Sequence, residues 1–119
     1  MKRERRIDYV EFASRDPAAS RRFFEQVFGW QFEDYGPDYT AFDDGELQGG
    51  FFRAAPLTAS AGAPLIVLYA AQLEPVLAVV AANGGDVIKP IFSFPGGRRF
   101  QFIEPGGNEL AVWSERDHD

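Results

Sequence analysis

The chain of 119 residues has no cysteine and a single histidine, His118, beside the C-terminus. Without cysteine there is no disulfide, no thiol nucleophile and no thiolate-held metal. A lone tail histidine reads as a bystander. No apolar run approaches the roughly 20 residues a membrane span needs, and the longest such stretch, around 63–71, is much too short. The first residues are charged with no apolar segment behind them, so no secretory signal is read and a cytoplasmic location is expected. Positive charge is also scarce. Twelve Lys and Arg stand against 18 Asp and Glu, for a net charge of −6. An acidic surface repels phosphate backbones, so neither nucleic acid nor membrane is expected as a partner. The one basic cluster, Lys2, Arg3, Arg5 and Arg6, is broken by Glu4 and reads as a solvated tail.

What the chain does hold is aromatic mass and a repeat. Twelve Phe, four Tyr and two Trp are many for one domain of this length. They suit tight packing in thin half-cores, and equally an aromatic-lined pocket. The segment 42–52 reads strand, turn, strand, and 103–113 reads the same way 61 positions later. A helix-like run ending in glycine lies upstream of each. Two copies of one supersecondary unit imply a pseudo-twofold body with a shared core.

Local signals fill in the unit. Alternation over 7–13 predicts a strand. Asp16 then suits an N-cap and Pro17 the first helical position, with a helix over 18–28 closed by Gly29. Ala19, Phe23, Phe24, Val27 and Phe28 form its apolar face. Strands are expected at 30–35, 39–43 and 47–53, with Asp44-Gly45 as a hairpin turn. The uncharged segment 55–63 reads as a linker between half-modules at about 6–54 and 64–114. The second half repeats the order: strand 65–70, helix 72–83, strands 86–92, 99–103 and 108–113, then a frayed charged tail from 114. The expected fold class is α+β, two tandem βαβββ modules. A helix covers one face of each curved sheet. The bare faces together form a cup.

These details resemble the vicinal-oxygen-chelate superfamily, which includes glyoxalase I, extradiol dioxygenases and bleomycin-resistance proteins. The resemblance rests on Asp16-Pro17 before Phe23-Phe24, then Phe28-Gly29-Trp30 and Gly36-Pro37-Asp38-Tyr39. Gly49-Gly50-Phe51 and Glu104-Pro105-Gly106-Gly107-Asn108 complete it. The Phe28-Gly29-Trp30 and Gly36-Pro37-Asp38-Tyr39 segments look like those of a subgroup related to lactoylglutathione lyase. The resemblance places metal-ligand positions on Tyr9, on or near Leu65, on Gly50 and on Ala111. Those side chains do not build the His/Glu set a divalent ion needs. The expectation is therefore no metal, no other cofactor and no metal-enolate glyoxalase I reaction. The resemblance also implies a homodimer, in which an isologous contact covers sheet edges and apolar surface.

Strand alternation puts Tyr9, Glu11 and Ala13 on one face, the face that carries the family's ligand site. By the same reasoning Gln48, Gly50 and Phe52 point inward, as do Leu65, Val67 and Tyr69, and Glu109, Ala111 and Trp113. Glu11 is the candidate base or cation-binding group, and Glu109 beside it would make a carboxylate pair. Tyr9, Phe52, Tyr69 and Trp113 supply flat apolar surface and hydroxyl handles. Arg98, with Arg99 after the Gly96-Gly97 turn, could clamp an anion. Asp38-Tyr39 reads as a turn from which Tyr39 can still reach the cup. Three functions fit: a protein that binds a small, flat, cationic drug or metabolite; a metal-independent lyase or isomerase with Glu11 as base; and an interaction module whose cup is filled by its own aromatics.

Overall fold

The computed structural model describes residues 4–115. The order is β1 (Tyr9–Ser14), α1 (Pro17–Phe28), β2 (Gln31–Asp34), β3 (Tyr39–Asp43), β4 (Gln48–Arg53), a short 3-10 helix (Ala59–Ala61), β5 (Ile66–Tyr69), α2 (Leu73–Ala82), β6 (Asp86–Phe94), β7 (Gly97–Ile103) and β8 (Glu109–Glu115). The strands form two four-stranded sheets, ordered β1-β4-β3-β2 and β5-β8-β7-β6. In each, the first strand pairs in parallel with the last and the other pairs are antiparallel. Each half is one βαβββ unit, and the curved sheets stay open on one side.

The start of α1 follows the local chemistry. Asp16 Oδ1 accepts the Ala19 N–H at 3.2 Å, and Pro17 sits at the first helical turn where its missing N–H costs nothing. Gly29 ends the helix at φ 71°, a left-handed conformation that glycine adopts freely. The apolar face of α1 meets the first sheet through rings. Trp30 stacks on Phe24 with centroids 4.5 Å apart and on Phe42 at 4.6 Å. Phe51 lies against Phe12 at 5.0 Å and Phe24 at 5.4 Å. In the second half, Phe100, Phe102, Leu110 and Val112 are buried with Leu73 and Val80 of α2. The half-cores merge where Phe23 of α1 meets Phe102 of β7 at 5.6 Å. Each fully buried ring stabilises the fold by about 1.5–3 kcal/mol relative to exposure.

Polar ties join the halves as well. Glu104, only 1% exposed, accepts hydrogen bonds from Ser20 Oγ (2.8 Å), Gly106 N–H (2.6 Å), Asn108 N–H (3.3 Å) and Asn108 Nδ2 (2.7 Å). Asn108 Nδ2 also donates to the Ala13 carbonyl at 2.7 Å, and Arg15 N–H donates to Gly106 O at 2.9 Å. The repeated hairpins thus do different work. The first is an exposed turn, with Asp44 Oδ1 accepting the Glu46 and Leu47 N–H groups. The second is a buried joint.

Two expectations shift. The charged tail expected to fray from 114 begins later: β8 runs to Glu115, and Ser114, the register partner of Arg98, is 1% exposed. The Gly96-Gly97 turn is tighter than expected, since Gly97 already opens β7. His118 lies outside the described residues.

Candidate functional site

The helices cover one face of each sheet, and the opposite faces carry exposed apolar side chains: Tyr9 (42%), Phe52 (38%), Val67 (42%) and Tyr69 (53%). Strand register sets their neighbours. On the first sheet, Glu11, Gly50, Ala41 and Glu33 form one row, and Tyr9, Gln48, Asp43 and Gln31 the next. Ala13, Phe52 and Tyr39 form a third.

Tyr39 is the centre of this face. Its ring lies over Gly50, where a Cβ would stand 2.1 Å from the Tyr39 hydroxyl. From there the hydroxyl donates to Glu11 Oε2 at 2.9 Å and shares a hydrogen bond with Tyr9 Oη at 2.5 Å. Burial, and hydrogen bonding to Tyr9 and Glu11, push the Tyr39 phenol far above its ordinary range, so it stays a proton donor. Glu11 itself is exposed. The result is a carboxylate and two phenols linked on a surface open to solvent.

The second sheet shows three rows: Tyr69, Trp113, Arg99 and Phe92; Val67, Ala111, Gln101 and Lys89; and Glu109, Ile103 and Asp86. Trp113 packs edge-on to Tyr69 at 5.4 Å, and the Tyr69 hydroxyl donates to Glu115. Glu109 is nearly buried, and both of its oxygens are engaged. Oε1 accepts the Ala59 N–H at 3.2 Å and Oε2 accepts Gln101 Nε2 at 2.9 Å. The 55–63 segment therefore straps down over this end of the sheet. A cavity of about 300 Å³ lies at the seam between β1 and β5. Glu11 and Glu109 both line it, with Val10, Pro56, Leu57 and Ile66 as apolar walls.

The candidate residues thus fall into groups. Tyr9, Glu11, Gln48 and Phe52 share the first open face, and Tyr69, Glu109 and Trp113 share the second. Glu109 reaches the same cavity as Glu11, but its carboxylate is committed to the linker. Arg98 departs from expectation. It was read as part of a loop tip, yet β7 has already begun, and alternation turns Arg98 to the helix side. There its guanidinium meets Glu74 of α2 at 2.8 Å. Arg99 takes the open face instead, over the rings of Phe92 (5.3 Å) and Phe94 (5.7 Å). Gln101, a single polar residue between Phe100 and Phe102, carries no site signal in the sequence, and Tyr39, expected to reach the cup from a turn, instead sits at the centre of the face. The signal for Tyr39 was Gly50, a strand glycine of the kind that marks close approach by another group.

A divalent ion held at the family positions finds poor donors. Gly50 and Ala111 offer no side-chain ligand, and the Tyr39 ring fills the space beside Gly50. Among the described residues, no three Asp, Glu, His or Cys side chains converge. Those residues do not fit such an ion.

Comparison with known proteins agrees with this architecture. The family described as Glyoxalase/Bleomycin resistance protein/Dioxygenase superfamily matches residues 6–112. "Putative glyoxylase CFP32" of Mycobacterium bovis is 26% identical over 93% of this chain. The chain spans about half, 46%, of that curated relative. A glyoxalase/bleomycin resistance protein/dioxygenase family enzyme from Burkholderia phytofirmans PsJN superposes with a TM-score of 0.78 at 19% identity, covering 92% of this chain and 99% of that one. The fosfomycin resistance protein FosX from Mesorhizobium loti gives 0.76 at 18% identity, covering 94% and 93%. At such identities the likeness to these two structures is one of fold.

Proposed function

The chain belongs to the Glyoxalase/Bleomycin resistance protein/Dioxygenase superfamily, and from that premise we propose that it binds a small organic molecule on its open faces without a resident metal ion. The observation that carries this is the Tyr9–Tyr39–Glu11 set, a carboxylate and two phenols joined on an exposed surface beside Phe52. A charged acceptor flanked by rings suits a flat ligand that presents a cation or hydrogen-bond donor. A fosfomycin resistance protein among the structural neighbours fits a small-molecule role.

The proposed working form is a cytoplasmic homodimer. A second copy laid over Tyr9, Phe52, Val67 and Tyr69 would cover apolar surface that water now touches. Gel filtration with light scattering tests this, and a monomer at micromolar concentration would refute it.

A second reading is supported by the Tyr39–Glu11 hydrogen bond, which sets a proton donor against a carboxylate. In this reading Glu11 abstracts a proton as a metal-independent lyase or isomerase base, and Tyr39 or Tyr9 donates to the developing oxyanion.

A thermal-shift screen separates these readings. Benzylamine and larger aromatic amines should raise the melting temperature, and Trp113→Ala or Glu11→Gln should abolish the rise. Stabilisation confined to Zn²⁺ or Ni²⁺ would overturn the metal-free reading. Turnover of a hemithioacetal, lost in Glu11→Gln, would favour the enzyme. A flat response to every compound would favour an interaction module.

A further inference from the structure

We infer that Arg99 forms an oxyanion subsite on the open face of the second sheet, so that the ligand carries a carboxylate, phosphonate or similar anionic group. The inference rests on the small-molecule reading above and names part of the ligand that reading left open.

Arg99 stands in the middle of the row Tyr69, Trp113, Arg99, Phe92. It is half-buried, and its Nε is buried with no hydrogen-bond partner among the described residues. Among the described residues, its guanidinium lies over the rings of Phe92 at 5.3 Å and Phe94 at 5.7 Å. In a chain with 18 acidic residues and 12 basic ones, such a cation has no shortage of partners to choose from. Other arginines of the chain are ion-paired: Arg21 with Asp34, Arg53 with Asp38 and the adjacent Arg98 with Glu74. Glu115, one step along β8 from Trp113 on the same face, receives the Tyr69 hydroxyl. The adjacent row adds a second cation, Lys89, with no acid in it.

Partial burial weakens the guanidinium's hydration, and the rings repay only part of that loss. A planar fork of donors held flat against aromatics is pre-organised, so little further entropy is lost when two oxygens dock on it. The flanking Trp113 and Phe94 rings, 6.4 Å apart between centroids, would hold the apolar part of the same molecule.

The test is a titration of the full chain with phenylphosphonate, benzoate, benzamide and inorganic phosphate, followed by calorimetry and by the Arg99 Nε–H signal in NMR. Phenylphosphonate should bind about tenfold tighter than neutral benzamide and move the Arg99 signal. Arg99→Gln should erase that tenfold advantage and leave benzamide affinity intact, whereas Arg98→Gln should leave both. Equal affinities for phenylphosphonate and benzamide, or an advantage that survives Arg99→Gln, would overturn the subsite while leaving the small-molecule reading in place. If phosphate moves the Arg99 signal but no aromatic compound binds, the subsite stands and the aromatic cup falls.

Discussion

The Tyr39 hydroxyl occupies space that a side chain at Gly50 would need, 2.1 Å from the position of its Cβ. The glycine is what lets the phenol reach Glu11. Gly50→Ala should therefore displace the Tyr39 ring and break its bond to Glu11. The clash is with the far end of a side chain that can swing aside, and alanine suits a strand at least as well as glycine, so the stability cost should stay below about 1.5 kcal/mol. The loss should appear instead in ligand binding. Urea denaturation and a binding isotherm on the same variant check both, and unchanged binding would argue that Tyr39 has no part in the site.

Alkaline pH gives a second test. The folded Tyr39 phenol is held far above the ordinary value of 10.0, by burial first and then by its bonds to Tyr9 and Glu11. The folded state thus favours the protonated phenol. Its contribution is complete below pH 10.0 and is lost as pH rises beyond that value, where the unfolded chain releases the proton and the fold does not. Tyr69 is raised in the same direction through Glu115. The difference between the parent and Tyr39→Phe should accordingly shrink above pH 10.0. Paired denaturation curves from pH 8 to 11 would show it, and parallel pH profiles would contradict it.

At the joint between halves, burial pushes the Glu104 carboxyl up, while hydrogen bonds from Gly106, Asn108 and Ser20 pull the other way. Since the net direction is upward from 4.5, protonation favours the fold. The contribution is full below that value and is lost as pH rises through the folded one. Glu104→Gln should remove this slope. It should also cost about 1–3 kcal/mol, because an amide NH₂ must now face N–H donors in a buried place. Chemical denaturation of both proteins across pH 4 to 8 measures the two effects together.

Gly106 tests the same joint sterically. A Cβ there would stand 2.2 Å from both Ser14 Oγ and Ser20 Oγ, and these two serines are fully buried. Gly106→Ala should destabilise by about 1–3 kcal/mol through overpacking. Ser20→Ala in the same chain should return part of that loss, a coupling that a double-mutant cycle would reveal.

The aromatic core and the open face should respond differently to truncation. Phe24→Ala removes a fully buried ring that stacks on Trp30, Phe28 and Phe51, and should cost about 3–5 kcal/mol. Tyr69→Ala takes away a ring that is more than half exposed, and should cost about 1 kcal/mol or less. Comparable losses for the two would mean that Tyr69 is buried in solution, as a dimer contact would require.

Much of the architecture could be read in advance because its signals are local. The Asp16-Pro17 start and Gly29 stop of α1 depend on a few consecutive residues. The 61-residue repeat also survives in the register: Gly50 pairs with Glu11 as Ala111 pairs with Val67. Side-chain alternation likewise put Tyr9 and Glu11 on the open face with Phe52. Arg98 departs from its expected place because the strand expected over 99–103 begins two residues earlier, at Gly97, so Arg98 lies inside β7 and alternation sends it to the face opposite Arg99.

Composition, caps and periodicity were sufficient for the two βαβββ halves and for the residues facing away from the helices, because those features follow from neighbours three or four positions apart. Contacts between residues distant in sequence were beyond their reach. The Tyr39 phenol crosses Gly50 to meet Glu11, Glu109 closes on Ala59 of the linker, and Glu104 locks to Ser20 across 84 positions. Such pairings depend on how far each sheet curves and how the halves merge at Phe23 and Phe102, and these are settled by packing across the whole molecule.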